Sequence, residues 1–250
     1  MQPAALPEMP LLSCFAQFYE EVARVRQESE RGSLQAYLGV SGAPPAEPAE
    51  LAGRVSLRLA DLLAGQARDM RATASEAQQR AYTAASYVMV VLADEIFILE
   101  LSWPAQDAWL EVLLEHRQFG SRQAGRRFFD MVEQVLAVVS RSNLHRDLAA
   151  CFLLALQLGF KGMHRGAQGQ LFLDTLRQRL YRFVNGRPAE PDGRLFVQAY
   201  EHTVKSTADA RVAPLRPWLR LAMGYALGFV LMSSALWLWL IQPLVKVAGV

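Results

Sequence analysis

The chain has 250 residues, 52% of them hydrophobic, and its 26 Lys and Arg against 24 Asp and Glu give a formal net charge of +2 at pH 7. So small a charge, mixed in sign along the sequence, is too small to suggest nucleic-acid binding. Cys14 and Cys151 lie in apolar helical patterns, as reduced core cysteines do. No Cys/His spacing predicts a metal site, and we expect neither a metal nor a cofactor.

The predicted fold is all-α, because no segment alternates apolar and polar residues as a strand does. Apolar residues at helical spacing predict helices from Pro10 to about residue 32 and then over about 51–75, 78–101, 105–117, 128–139, 148–160 and 171–185, with one short helix near 195–200. We expect a domain of seven or eight helices over residues 1–186. Loops are expected where Gly and Pro cluster, as at 39–48.

The predicted helix over 78–101 is apolar almost all round from residue 84 onward. A membrane span is one interpretation, but Asp94 and Glu95 lie within it. Each acid at a bilayer centre costs about 2.5–3.5 kcal/mol on insertion scales. The sequence therefore predicts the central core helix of a soluble domain.

Asp94 and Glu95 are adjacent, so on a helix their side chains point about 100° apart. We expect at least one of them to point away from the core, or both to line a groove. One interpretation is structural, with the acids at a helix rim or paired with an Arg from another helix. The functional interpretation is an acidic groove that receives a partner's basic residues.

Residues 158–166 read LGFKGMHRG, a glycine-rich basic turn after an apolar helix. Lys161, His164 and Arg165 stand between its glycines. An ordinary helix stop with solvated charges and a phosphate-binding nest both fit this composition. The chain has no P-loop, nucleophile elbow or HExxH motif, and the sequence therefore indicates no enzyme.

Residues 221–241 carry no charge, and a helix of this length is about 30 Å long, enough to cross a bilayer. Aromatic and basic residues flank it as interfacial anchors would: Trp218, Arg220, Trp237 and Trp239. Arg211, Arg216 and Arg220 precede the stretch and Lys246 alone follows it, so the positive-inside rule predicts a cytoplasmic N-terminus and a periplasmic tail. The predicted layout is a domain at 1–186, a linker at 187–220, a transmembrane helix at 221–241 and a tail at 242–250.

Small residues share one face of the predicted span. Gly224 and Gly228 form a GxxxG pair, and Ala235 lies two turns further along the same face. Such a face lets helix backbones approach closely in a membrane. We predict that this face associates with a second copy or with another subunit.

Taken together, these motifs resemble the DotU/TssL (IcmH) family, an inner-membrane component of bacterial type VI secretion systems with a relative in the Dot/Icm type IV system. The resemblance rests on Ala93-Asp94-Glu95 in a core helix, on LGFKGxxR at 158–165, and on one C-terminal span. It covers residues 11–241. Met163 and His164 stand where the family more often has a basic residue and an aromatic.

The resemblance implies a hook-shaped cytoplasmic domain of two small helical bundles in a structural scaffold. It implies a TssM-like inner-membrane subunit, a TssJ-like lipoprotein and a TssK-like baseplate subunit as partners, and a homodimer. The residues we expect to contact partners are Asp94, Glu95, Gly159, Phe160, Lys161, Gly162 and Arg165. Two other classes of function stay open: a tail-anchored enzyme that uses Asp94 or Glu95 as an acid, and a tail-anchored adaptor unrelated to secretion.

Overall fold

A computed structural model of the chain describes residues 9–40, 46–138 and 142–186, and every regular element in these ranges is helical. The all-α prediction is therefore confirmed for this part of the chain. In order, the helices are α1 (Pro10–Glu30), α2 (Leu34–Tyr37), α3 (Pro48–Thr73), α4 (Glu76–Glu95), α5 (Gln106–Trp109), α6 (Leu114–Phe119), α7 (Ala124–Leu136), α8 (Asn143–Gln157) and α9 (Gly166–Asn185).

Helices α4 and α8 form the centre of the domain. From residue 85 to 97 every side chain of α4 and its continuation is buried, and so is every side chain of α8 from Asp147 to Leu156. The two helices pack on each other and both pack on α1 and α7. A helix hydrophobic all round has no solvent-facing stripe, so it must be surrounded in this way.

Helix α4 continues as one π-helical turn, Ile96–Glu100, which the Leu101 N–H closes on the Ile96 carbonyl at 2.9 Å. Together they form a helix, Glu76–Glu100, with the length and mean hydropathy (1.6) of a membrane span, and it alone meets that test within the described ranges. However, 78% of its most apolar window is buried inside the domain. The structure therefore agrees with the prediction of a core helix.

Local sequence signals account for several helix ends. Proline occupies the first turn of α1 and of α3, where its missing N–H costs nothing. Ser75 caps α4 in a capping box with Gln78, and the Ser142 hydroxyl caps α8. Gly186 ends α9 with φ of +70°, a left-handed conformation that favours glycine, as the sequence predicts.

The prediction of one helix over 105–117 is wrong. The structure has two short helices there, α5 and α6, separated by residues 110–113. Leu113 is extended (φ −46°, ψ 131°) and precedes the first residue of α6. Leu171, expected on the apolar stripe of the last helix, is 71% exposed, and α9 begins earlier than predicted, at Gly166.

Several predictions fall outside the described residues. They are the linker at 187–220, the transmembrane helix at 221–241, its flanking residues and the glycine face, and the tail. They stay predictions, as does the division into two bundles.

Candidate functional site

Asp94 lies at the end of α4 and is only 4% exposed. Its Oδ1 accepts hydrogen bonds from the indole Nε1–H of Trp109 (2.9 Å) and the backbone N–H of Leu114 (3.0 Å). Its Oδ2 accepts one from the N–H of Glu115 at 2.9 Å. The first N–H groups of a helix have no partner inside it, so Asp94 caps α6 from a distant helix.

Glu95 performs the same task for a different element. Its Oε1 accepts from the N–H of Lys161 at 3.0 Å and its Oε2 from the N–H of Gly162 at 2.9 Å. The Arg165 guanidinium donates to Oε1 at 2.8 Å, in an ion pair whose Glu side chain is 7% exposed. The two motifs that the sequence shows separately are thus joined, and Glu95 pairs with an Arg of another element.

The expectation that one acid points away from the core, or that both line a groove, is wrong. The side chains do diverge, but α4 is enclosed on both sides. One direction leads to the start of α6 and the other to the turn at 158–165, and both places offer backbone N–H groups. Divergence therefore lets each buried carboxylate hold a separate element.

Burial raises the pKa of Asp94 from 3.8 to about 6, against the effect of the three hydrogen bonds and with a smaller contribution from the nearby Glu115 carboxylate. A carboxyl whose pKa is raised on folding stabilises the fold when protonated, and that contribution is lost as the pH rises from about 3.8 to about 6. Acidification through this window should stabilise the domain at this site.

We therefore expect Asp94→Asn to remove a pH dependence of stability. The unfolding free energy of the wild type minus that of the variant should fall by about 2 kcal/mol between about pH 4 and about pH 7. Urea unfolding of both full chains in detergent, at several pH values, measures this difference. A difference that stays constant across the series would contradict the assignment.

A third buried acid, Glu115, holds the turn between α6 and α7. It is 3% exposed, and its Oε1 accepts from the Tyr87 hydroxyl (3.1 Å), the Ser121 hydroxyl (2.8 Å) and the Gln123 N–H (2.8 Å). Burial and then the Glu115 charge raise the pKa of Tyr87. Asp94 binds the backbone of Glu115, so the two acids form one continuous network.

The glycine-rich turn at 158–165 packs directly on α7. Gly162 has φ of +52°, and a Cβ there would lie 3.0 Å from the Phe129 ring and 3.3 Å from the Cα of Gly125. Two N–H groups of this turn, those of Lys161 and Gly162, already bind Glu95. They are therefore not free to cradle a phosphate, which disfavours the nest interpretation.

The remaining residues of the turn divide between core and surface. Phe160 is 1% exposed and packs on Phe128 with ring centroids 4.3 Å apart, so its side chain faces the core. Met163 is 60% exposed, and His164 stacks on Phe172 at 4.0 Å. A role in partner binding stays a prediction for this turn, with Lys161 and Arg165 as its charged residues.

Asp147 on α8 was missed by sequence reasoning. It is 2% exposed and accepts from the backbone N–H groups of Leu11 (2.8 Å) and Leu12 (3.0 Å), which lie in the first turn of α1. Burial raises its pKa, against these two bonds. The sequence signal that could have identified Asp147 is the same as for Asp94: a charged residue within an apolar helix.

Within the ranges described, no group of three His, Cys, Asp or Glu could hold a metal ion, and both Cys14 and Cys151 are free thiols. The carboxylates of the Ala93-Asp94-Glu95 motif face backbone N–H groups and side-chain donors of their own chain. The geometry is that of a framework that fixes turns.

The model of one protein family, described as "Type VI secretion system protein DotU", matches residues 10–240. The chain belongs to the DotU family. The match confirms the resemblance drawn from the two motifs, and it makes the protein a component of a type VI secretion system of the DotU/TssL type, whose place is the inner membrane. It is not a known enzyme family.

One solved structure, "Cytoplasmic domain of TssL from Acinetobacter baumannii", is similar to this chain at 24% sequence identity with a TM-score of 0.44. The similarity covers 56% of this chain and 85% of that one. Among curated proteins, none matches the chain.

Proposed function

We propose that this DotU-family chain is a structural scaffold of the type VI secretion membrane complex. Residues 221–241 anchor it in the inner membrane as a single span, with residues 1–220 in the cytoplasm and the tail in the periplasm. The helical domain docks the cytoplasmic baseplate. Its partners are a TssM-like subunit, a TssJ-like lipoprotein within the same complex, and a TssK-like baseplate subunit.

The observation that carries the proposal is the use made of the two acids. Asp94 and Glu95 are the acids an enzyme of this sequence would use, yet each carboxylate accepts three hydrogen bonds from its own chain and is buried. A general acid must contact its substrate, whereas a residue that only fixes the backbone need not. The family match, which includes the uncharged stretch, supports a scaffold that is anchored.

The test replaces the anchor and leaves the domain unchanged. Full chains carrying either residues 221–241 or an unrelated single span, and a Gly224→Leu/Gly228→Leu variant, are purified from native membranes through a tag. We expect the TssK-like subunit to copurify with all three. The amount of a second copy, or of the TssM-like subunit, that copurifies should fall in both altered chains, because the small-residue face is lost.

Two results would contradict the proposal. Copurification of the baseplate subunit with none of the chains would leave an adaptor unrelated to the baseplate, or a Dot/Icm-type component, as the better assignment. A cysteine placed at Val250 that is protected from an impermeant reagent in intact cells, and labelled only after lysis, would reverse the topology.

A further inference from the structure

We propose that the turn between α6 and α7, together with the neighbouring turn at 158–165, is a docking surface for an acidic amphipathic segment of a protein partner. The proposal names the chemistry of the partner and rests on the docking role proposed above. The surface, here called the basic surface, consists of His116, Arg117, Arg122, Arg126 and Lys161.

Positive charge outweighs negative charge on this surface. Between residues 112 and 129 the sole acid is Glu115, and it is buried. Nine other arginines of the described residues, among them Arg165 of the second turn, pair with acids. Arg117, Arg122 and Arg126 are exposed and form none of these ion pairs. Exposed acids lie at its edges, at Glu100, Glu111 and Asp130, and Glu100 interacts with Lys161.

The buried acids fix both parts of the basic surface. Asp94 holds the start of α6, and Glu115 holds Ser121 and Gln123 on either side of Arg122. Glu95 holds the backbone of Lys161. The start of α7, directly after the first turn, touches the second turn, because a Cβ on Gly125 would lie 3.3 Å from the backbone nitrogen of Met163. The cations therefore stand on adjacent segments whose backbones are held in place.

Apolar side chains border the cations. Met163, in the second turn, is 60% exposed. Leu171 and Phe172, in the first half of α9, are 71% and 39% exposed, and Phe172 stacks on His164 of that turn. Large apolar side chains at the surface beside unpaired cations fit a partner segment that carries both carboxylates and apolar residues. This combination defines the occupant as acidic and amphipathic.

The observations favour a protein over anionic lipid. Three of the four fully charged residues are arginines, whose planar guanidinium binds a carboxylate through two parallel hydrogen bonds. That mode of binding profits from cations held in fixed positions. Attraction to a lipid surface depends on the number of nearby charges and requires no such positioning.

The test uses the full chain in phosphatidylcholine nanodiscs and a labelled amphipathic peptide of Glu and Leu as the probe. Arg122→Glu/Arg126→Glu reverses two charges of the basic surface. Arg68→Glu/Arg182→Glu is the matched control, since both arginines are exposed and form none of the ion pairs above. We expect the first variant to raise the Kd of the peptide at least about tenfold, or about 1.4 kcal/mol. The control should change it less than about twofold.

Binding of the peptide tests this inference, whereas binding of the TssK-like baseplate subunit tests the proposed function. Equal Kd values in both variants, or equally tight binding of a Gln/Leu peptide, would overturn the inference. So would an effect confined to phosphatidylglycerol nanodiscs, which would assign the surface to lipid. Failure of the TssK-like subunit to bind the wild type, with the peptide result intact, would instead count against the proposed function.

If circular dichroism shows that the charge reversal unfolds the chain, Arg117→Gln/Arg126→Gln replaces it, with an expected loss of peptide affinity of at least about threefold.

Discussion

A chain with Asp94→Lys and Glu95→Lys together is expected not to fold. Each substitution removes a buried carboxylate and sets a cation against N–H donors, and Glu95→Lys also faces Arg165. Leaving one buried charge without its partner costs about 3–5 kcal/mol. Two such losses are comparable to the whole stability of a typical domain, about 5–15 kcal/mol. Circular dichroism and limited proteolysis of the full chain in detergent measure the outcome.

Asp61→Lys with Asp69→Lys is the matched control, because both acids are exposed on α3. It reverses the same number of charges and should leave the melting midpoint within a few degrees of the wild type. The acidic-groove interpretation predicts instead that the Asp94/Glu95 variant weakens docking without unfolding. A folded double variant with an unchanged midpoint would support that earlier hypothesis and contradict the burial described here.

Asp147→Ala should destabilise the domain by about 3 kcal/mol. It leaves the N–H groups of Leu11 and Leu12 without their acceptor, and an unsatisfied buried donor costs about 1–3 kcal/mol. The loss should be concentrated in the first turn of α1, which Asp147 caps. Hydrogen exchange of the amides at residues 11–12 should therefore accelerate in the variant more than exchange in the centre of α4.

The control for this prediction is Asp130→Ala on α7, where the acid is exposed. Its stability should stay within about 0.5 kcal/mol of the wild type, as for most surface substitutions. Unchanged exchange at residues 11–12 in Asp147→Ala would mean that water replaces the carboxylate, and that the cap contributes little.

The helices were largely predictable because apolar periodicity and caps are local signals. The core position of α4 followed from the cost of Asp94 and Glu95 in a bilayer. Residues 105–117 were not predictable in the same way. Their apolar spacing fits one helix, but the first turn of α6 is capped by Asp94, which lies about twenty residues earlier. A cap from another element leaves no trace at the helix end that it serves.

The candidate site shows the same limit more clearly. Both motifs were visible in the sequence, yet Glu95 and Lys161 are 66 residues apart. Helical periodicity gives the direction of a side chain and not the element that it meets. The acidic-groove hypothesis arose because a charged acid in an apolar helix needs a binding partner, and the sequence does not show that the partner lies in the same chain. The basic residues at 116–126 give no signal in the overall charge, which is nearly balanced.

The acids Asp94 and Glu95 bind mainly to backbone atoms, and this has a consequence for divergence. A backbone N–H is the same for every residue except proline. The side chain at 161 can therefore change while the hydrogen bond that positions its backbone persists. Exposed residues such as Arg122 and Met163 can be exchanged for others without redesign of the interior. With a fixed interior of this kind, the two turns that carry the basic surface could be exchanged between related chains.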